Sequence, residues 1–208
     1  MTIKIIGMVI VAYLLGAIPS GLWIGQTFYH KDIRKLGSGN IGTTNTFREL
    51  GPKAGVVVLL MDILKGTLAA SQPYLLGVSH SVNPLLIGIF ASLGHTFSVF
   101  DHFHGGKAVA TSAGILLAYN PPLFALACAI FITTLLLTSM ASCASIIGIT
   151  SIFIIALCEH DLILSCVAGI LTALVLWRHK SNIIRIITGK ESLVSFGLVY
   201  YLKQKQHK

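Results

Sequence analysis

Four stretches of 16 or more residues in this chain hold no Asp, Glu, Lys or Arg: Ile5 to Tyr29, Gly66 to Phe100, Ala108 to Cys158, and Leu162 to Trp177. Crossing the hydrocarbon core of a bilayer takes about 20 apolar residues in a helix. A soluble domain has no comparable use for so many uncharged runs, because its surface must be covered with polar side chains. Here 54% of the 208 residues are hydrophobic and only 11% are charged. The mean hydropathy is +0.82. Lipid is therefore the main solvent, and a polytopic, all-α membrane protein is expected.

The formal charge of +8 fits this class. Excess Lys and Arg in a membrane protein mark the cytoplasmic face, whereas a nucleic-acid binder would need basic stripes on a soluble fold. The four cysteines, Cys128, Cys143, Cys158 and Cys166, lie in or beside apolar stretches with no CxxC spacing. They read as small hydrophobes, not as zinc ligands or a disulfide framework. The N-terminal apolar run has no cleavage-type end and reads as a retained first span.

Turn residues divide the runs. The first span covers about Ile5–Phe28, the second Ala54–Tyr74 and the third about Pro84–Ser98. The Ala108–Cys158 stretch breaks at Asn120-Pro121-Pro122 and again near Thr138–Ser142, giving three spans, and Leu162–Trp177 is the last. Charge supports that division. Lys31, Arg34, Lys35, Arg48 and Lys53 share a side with Lys107 and with Arg178, Lys180, Arg185, Lys190, Lys203, Lys205 and Lys208, which is 13 of the 15 Lys and Arg. Seven spans place all of these in the cytoplasm, with the N-terminus outside and the C-terminus inside.

Three cytoplasmic segments carry the polar chemistry. The first is Gly37-Ser38-Gly39-Asn40-Ile41-Gly42-Thr43-Thr44-Asn45-Thr46-Phe47-Arg48. Its glycines let backbone N–H groups turn toward a ligand, and Arg48 offers a planar fork suited to phosphate. A solvated connector would use similar residues, but so many small polar groups beside a membrane favour ligand contact. The second contains His95, Asp101, His102 and His104, then Gly105-Gly106-Lys107 ahead of an apolar helix, where free N–H groups and a cation would meet the same anion. It is not a P-loop, since GxxxxGK[ST] is absent. No helical pairing of histidines supports a metal site. The third runs from Trp177 through His179, Asn182 and Arg185 to Glu191, with Ile183, Ile184, Ile186 and Ile187 suggesting an amphipathic surface helix. A basic tail resting on anionic lipid is the plainer alternative. His179 and Asn182 are three apart, as are Asp62 and Lys65 inside the second span, and each pair would share a helix face. Ionisable groups at membrane depth are costly enough to be functional by default.

These segments resemble the bacterial acyl-phosphate:glycerol-3-phosphate acyltransferases, the PlsY family. The likeness rests on Ser38-Gly39-Asn40-x-Gly42-x-Thr44-Asn45 with Arg48, then Gly94-His95-x-Phe97 and Phe103-x-Gly105-Gly106-Lys107-x-Val109-Ala110-Thr111, and then Arg178-His179-x-x-Asn182 with Gly189-x-Glu191. Asp62-x-x-Lys65-Gly66 also looks like the family's second helix. Ser98 stands where proline is common, His104 where a basic residue usually precedes the glycines, and Ala108 where glycine is usual.

The resemblance implies one integral-membrane acyltransferase domain over residues 1–208, in the bacterial cytoplasmic (inner) membrane with its active-site loops facing the cytoplasm. It implies transfer of a fatty acyl group from acyl phosphate to the 1-hydroxyl of sn-glycerol 3-phosphate, without cofactor or metal. Ser38, Arg48 and Lys107 would hold glycerol phosphate, with Asn40, Thr44 and Asn45 among the binding residues. Gly105 and Gly106 would supply backbone donors. Ser38, His95, His179 and Asn182 are the expected catalytic set, while Glu191, Asp62 and Lys65 would be structural. His95, His179 and the substrate phosphate all remain candidates for accepting the hydroxyl proton. Partners would be the two substrates, membrane lipid and the soluble enzyme that makes acyl phosphate, with no nucleic acid. No GxSxG elbow is present, and His95 to Asp101 is one residue too long for the HxxxxD pair of other acyltransferases. A membrane transporter of organic phosphate is the competing class. It would need polar groups along a path to both faces, and the opposite loops hold little beyond His80, Glu159, His160 and Asp161.

The charge asymmetry makes a direct prediction. Cysteine introduced as Ser38→Cys or Ser181→Cys is labelled by an impermeant thiol reagent from the cytoplasmic side only, and His160→Cys from the outside only. Residues 38 and 181 appearing on opposite faces would overturn the seven-span arrangement.

Overall fold

The computed structural model describes residues 1–206; Lys208, one of the tail cations counted above, lies outside them. Among the described residues the structure is helical, with an isolated Ser98–His104 bridge and no strand. It forms two compact units, residues 1–121 and the residues from 122 onward. The first contains α1 (Thr2–Ala17), α2 (Ser20–Tyr29), α3 (Thr43–Leu50), α4 (Pro52–Leu75), α5 (Pro84–Thr96) and α6 (Val109–Tyr119). From the boundary onward come α7 (Pro121–Thr138), α8 (Ala141–Cys158), α9 (Leu162–Arg178), α10 (Lys180–Ile187) and α11 (Leu198–Gln206).

Three helices, α4, α7 and α8, are long and apolar enough to cross a membrane, or five spans result if the bent pairs α1–α2 and α9–α10 each count as one. Reaching the expected seven would require α5 and α6 as well. At 13 and 11 residues and about 1.5 Å per residue, each is shorter than the roughly 30 Å hydrocarbon core. The first span, expected as one helix, is bent by 44°. Pro19 lacks an N–H and disfavours helical geometry at Ile18, whose ψ is 113°. The stretch after it, expected as a cytoplasmic loop, contains α3. Gly51 (φ 88°) and Pro52 then separate α3 from α4. The expected breaks in the Ala108–Cys158 stretch occur where the prolines and Ser139 place them.

In the first unit α4 packs against α1, α5 and α6. Leu60, Leu64 and Leu68 form its exposed stripe at four-residue spacing, while Val58, Asp62, Lys65, Gly66 and Ala69 are buried. Small residues bring the backbones close. A Cβ on Gly16 or Gly94 would strike α5 or α1 backbone, and one on Gly66 or Gly114 would strike α6 or α4 backbone. In the second unit α8 packs on α9. The C-terminal segment is tied to the α7–α8 junction by Val194 N–H donating to Ser139 O at 2.8 Å and Tyr200 N–H donating to Ser139 Oγ at 3.0 Å.

Ala108, at the N-cap of α6, has φ 58° and is buried. This left-handed conformation costs a non-glycine residue about 1–2 kcal/mol, which is why glycine suits the position. Ala108→Gly relieves that strain but removes a buried methyl worth about 0.8 kcal/mol and frees the unfolded chain. Its stability in detergent should therefore stay within about 1 kcal/mol of the parent. Ala108→Val, β-branched at positive φ, should lose about 2 kcal/mol or more. Equal thermal unfolding of the Gly and Val variants would contradict this conformation.

Candidate active site

In the first unit the glycine-rich segment is built around Asn45. Its side chain is 2% exposed; Oδ1 accepts from Ser38 N–H at 3.0 Å, and Nδ2 donates to Leu36 O at 3.0 Å and Ile33 O at 3.4 Å. Asn45, expected to touch substrate, is thus committed to bracing the turn at its own helix. Gly37, at φ 53°, packs where any Cβ would meet the Asn45 and Glu49 side chains, so only glycine fits. Asn40 Oδ1 accepts from Gly42 N–H at 2.9 Å, a local turn. Ser38, Thr44 and Arg48 are left exposed. Among the described residues, the Arg48 guanidinium makes no hydrogen bond or ion pair with the protein.

Arg34 contributes what sequence reasoning did not foresee. It donates to Asp32 through Nε at 2.9 Å and Nη2 at 2.8 Å, and through Nη1 to Asp101 at 2.6 Å. The hydrogen bonds from Arg34 hold the Asp32 carboxyl down to about 2, and the two carboxylates raise the guanidinium further. Asp101, buried in the second polar segment, is thereby joined to the first. An arginine and an aspartate so far apart in sequence give no periodic signal of such a pairing.

The second segment folds back on the end of α5. Phe103 N–H donates to Ser98 O at 2.7 Å, with His102 and Phe103 both at positive φ. Gly105 and Gly106 lie against this helix end: a Cβ on the first would strike the His95 and Thr96 carbonyls, and one on the second His95 Nε2. Gly106 N–H donates to His95 O at 3.0 Å. Of the two backbone donors expected for an anion, that of Gly106 is therefore engaged within the protein. Lys107 follows, half-buried, immediately before α6. Behind this segment Asp62, Lys65, Ser20 and His95 are all buried.

In the second unit His179 and Asn182 are both buried, and only Asn182 lies within α10. His179 is the residue at the 63° bend between α9 and α10. Its Nδ1 donates to Val175 O at 2.8 Å; a carbonyl can only accept, so in the neutral ring Nε2 carries the lone pair. Glu191 closes a second cluster. Oε1 accepts from Ser142 Oγ and Asn182 Nδ2, each at 2.7 Å, and Oε2 from Arg185 Nε at 2.7 Å. Burial alone would raise the Glu191 carboxyl, but the bonds from Asn182, Ser142 and Arg185 outweigh it and hold the group below the ordinary carboxylate range. On α10, Ile184 and Ile187 are exposed, as the amphipathic reading expected.

Apolar helices joined by polar turns, one of which carries an arginine without a partner among the described residues, mark a membrane protein whose polar turns are suited to an anionic ligand. Residues 6–189 match the sequence model of the glycerol-3-phosphate acyltransferases. The glycerol-3-phosphate acyltransferase of Limosilactobacillus reuteri (strain DSM 20016) is 74% identical over 206 residues, 99% of each chain. That of Lactiplantibacillus plantarum is 55% identical over 206 residues, again 99% of each. A crystal structure of PlsY, an integral membrane glycerol 3-phosphate acyltransferase, in its glycerol 3-phosphate form is 34% identical with a TM-score of 0.86, covering 95% of this chain and 98% of that one. A lysophosphatidic acid form of PlsY gives a TM-score of 0.83 over 91% of this chain and 94% of that one. The chain belongs to the glycerol-3-phosphate acyltransferase family.

Glu191 makes the electrostatics testable. Its folded pKa lies below the unfolded value of about 4.3, so its contribution to stability is present above that value and lost as pH falls through the folded one. Glu191→Gln should cost about 2–3 kcal/mol at neutral pH, because Arg185 and Asn182 lose a charged acceptor. The difference from the parent should shrink on acidification. Thermal unfolding in detergent at pH 7 and below pH 4 measures both; a penalty independent of pH would refute the ionised cluster.

Proposed function

We propose that this chain transfers a fatty acyl group from acyl phosphate to the 1-hydroxyl of sn-glycerol 3-phosphate, giving lysophosphatidic acid and inorganic phosphate. This is the first acylation step of phospholipid synthesis. The observation that carries the reading is Arg48, an exposed guanidinium with no partner among the described residues, on a turn braced from behind by Asn45, in a chain whose family acylates glycerol 3-phosphate. An arginine held in this way is available for a two-pronged bond to a phosphate. The organic-phosphate transporter that the sequence also allowed is not supported, since the relatives are acyltransferases.

The chemistry needs little from the protein. The substrate hydroxyl attacks the acyl carbonyl carbon, the carbon–oxygen bond to phosphate breaks, and phosphate leaves with the electron pair. An acyl phosphate is a mixed anhydride with a good leaving group, so neither coenzyme A nor a protein nucleophile is required. Ser38, Arg48 and Lys107 hold glycerol phosphate, with Asn40 and Thr44 beside them. Asn45 acts by positioning this turn. Gly105 and Gly106 let the backbone of this segment come close to the anion. His179 and Asn182 complete the catalytic set, and the hydroxyl proton goes to His95, to His179 through Nε2, or to the substrate phosphate. Rate comes mainly from orienting the substrates and neutralising their charge.

The same proposal covers the surroundings. Residues 1–208 act as one domain in the bacterial cytoplasmic membrane. With α5 and α6 counted as spans beside the two bent pairs, the chain crosses seven times, N-terminus outside and polar segments in the cytoplasm. A soluble enzyme supplies the acyl phosphate.

The test is phosphate release by purified protein in detergent or lipidic mesophase. Release should require both acyl phosphate and glycerol 3-phosphate, with acyl-CoA and acyl-carrier protein inactive as donors. Arg48→Lys should lose on the order of a hundredfold in rate, nearly as much as Arg48→Ala, because a dianion free to tilt carries its hydroxyl away from the acyl carbon. Comparable turnover with acyl-CoA would overturn the donor, and a near-normal Arg48→Lys would overturn the phosphate clasp.

A further inference from the structure

The most unusual group of side chains in the first unit lies beneath the polar segments, not in them. Asp62 and Lys65 stand one turn apart on α4. One oxygen, Asp62 Oδ1, receives Lys65 Nζ at 2.8 Å and Ser20 Oγ at 2.9 Å, and lies 3.8 Å from His95 Nδ1. All four side chains are buried, none more than 8% exposed. Lys65 Nζ donates in addition to Ile18 O at 2.9 Å.

The charges in this group constrain His95. Carboxylate and ammonium already neutralise each other. An imidazolium added to the same buried volume would be an uncompensated cation, which a low-dielectric interior disfavours strongly. His95 is therefore neutral and must adopt one of two tautomers. At 3.8 Å the pair is beyond hydrogen-bond distance, but the field of the carboxylate favours the proton on the nitrogen nearest to it. That nitrogen is Nδ1, so the lone pair falls on Nε2. The Nε2 edge is the one that lies against Gly106, where any Cβ would collide with it. The His95 carbonyl also accepts the Gly106 N–H.

We propose that Asp62 is a positioning residue for acyl transfer: it holds His95 as the Nδ1–H tautomer, seats the Nε2 edge of the ring against Gly106, and so sets the orientation of the Gly105-Gly106-Lys107 segment. The kinetic half rests on the acyltransferase reading above; the tautomer half stands apart from it. Asp62 touches no substrate and acts through His95. The path runs from α4 through the imidazole to the backbone that Lys107 continues.

Nitrogen NMR of 15N-histidine-labelled protein in detergent reads the tautomer directly, with His95→Gln identifying the resonances. In the parent at neutral pH, His95 should show a protonated Nδ1 and an unprotonated Nε2. Asp62→Asn should move the population toward the other tautomer, and Asp62→Glu should restore much of the parent signal. Lys65→Met leaves the carboxylate without its ammonium, so His95 should become imidazolium at the same pH. Asp62→Asn should also lower kcat for acyl phosphate and glycerol 3-phosphate by about tenfold or more, with Asp62→Glu recovering part of it. A role confined to fold stability would lower the melting temperature and leave the tautomer alone. An unchanged His95 spectrum in Asp62→Asn, or a neutral His95 in Lys65→Met, overturns the proposal. Should Asp62→Asn not be recovered folded, Lys65→Met decides by itself. A shifted tautomer in a protein inactive toward acyl phosphate refutes the functional reading instead.

Discussion

A carboxylate in the middle of an apolar helix must be neutralised where it stands, because water is not there to do it. Asp62 meets that requirement with an ammonium one turn away and a hydroxyl from α2, and it faces an imidazole at the end of α5. Those partners come from three different helices. The cluster therefore does more than cancel a charge: it ties α2 and α5 to α4 at one depth. Small residues at the α1–α5 and α4–α6 crossings let the backbones come close enough for these short polar bonds to form.

The polar segments at the helix ends follow the same logic with weaker constraints. Asn45 replaces missing backbone partners in a turn that neither helix nor sheet could satisfy. Arg34 bridges two turns that are remote in sequence, and Glu191 gathers α8, α10 and the stretch after it. In each case one planar group satisfies several donors or acceptors. The side chains left exposed, Ser38, Thr44 and Arg48, are carried on backbone that is already fixed. Any ligand meeting these side chains would find their backbone already ordered.

Much of this was legible beforehand, and the misses have physical causes. Prolines and short polar residues announced the breaks around Asn120 and Ser139, because each removes or competes for a helical hydrogen bond. Asp62 and Lys65 announced their pairing through spacing alone. Pro19 was visible too, but a proline within a long apolar run does not say whether the helix bends or continues. The helix at Thr43–Leu50 was hidden among turn-forming residues whose local propensities oppose it. Through-space partners such as Arg34 with Asp101, and Gly106 with the His95 carbonyl, leave no trace in spacing. The polar segments could be picked out from the sequence, whereas which of their side chains brace the chain and which stay exposed could not.

The carbonyl of Ile18 has a history as well as a position. The ammonium that accepts responsibility for it belongs to Lys65, 47 residues further along the chain. During synthesis α1 and α2 exist well before α4, so the break between them begins with a carbonyl whose local partner is the Ser20 N–H, at 3.0 Å, and which still lacks the ammonium for its second lone pair. Left in hydrocarbon, that group favours a hydrated or interfacial placement of the break. Only when α4 arrives does the bent pair acquire the bond that lets it settle at depth. The first segment to be made is in this sense among the last to be finished, and a fragment ending before α4 would lack the means to complete it.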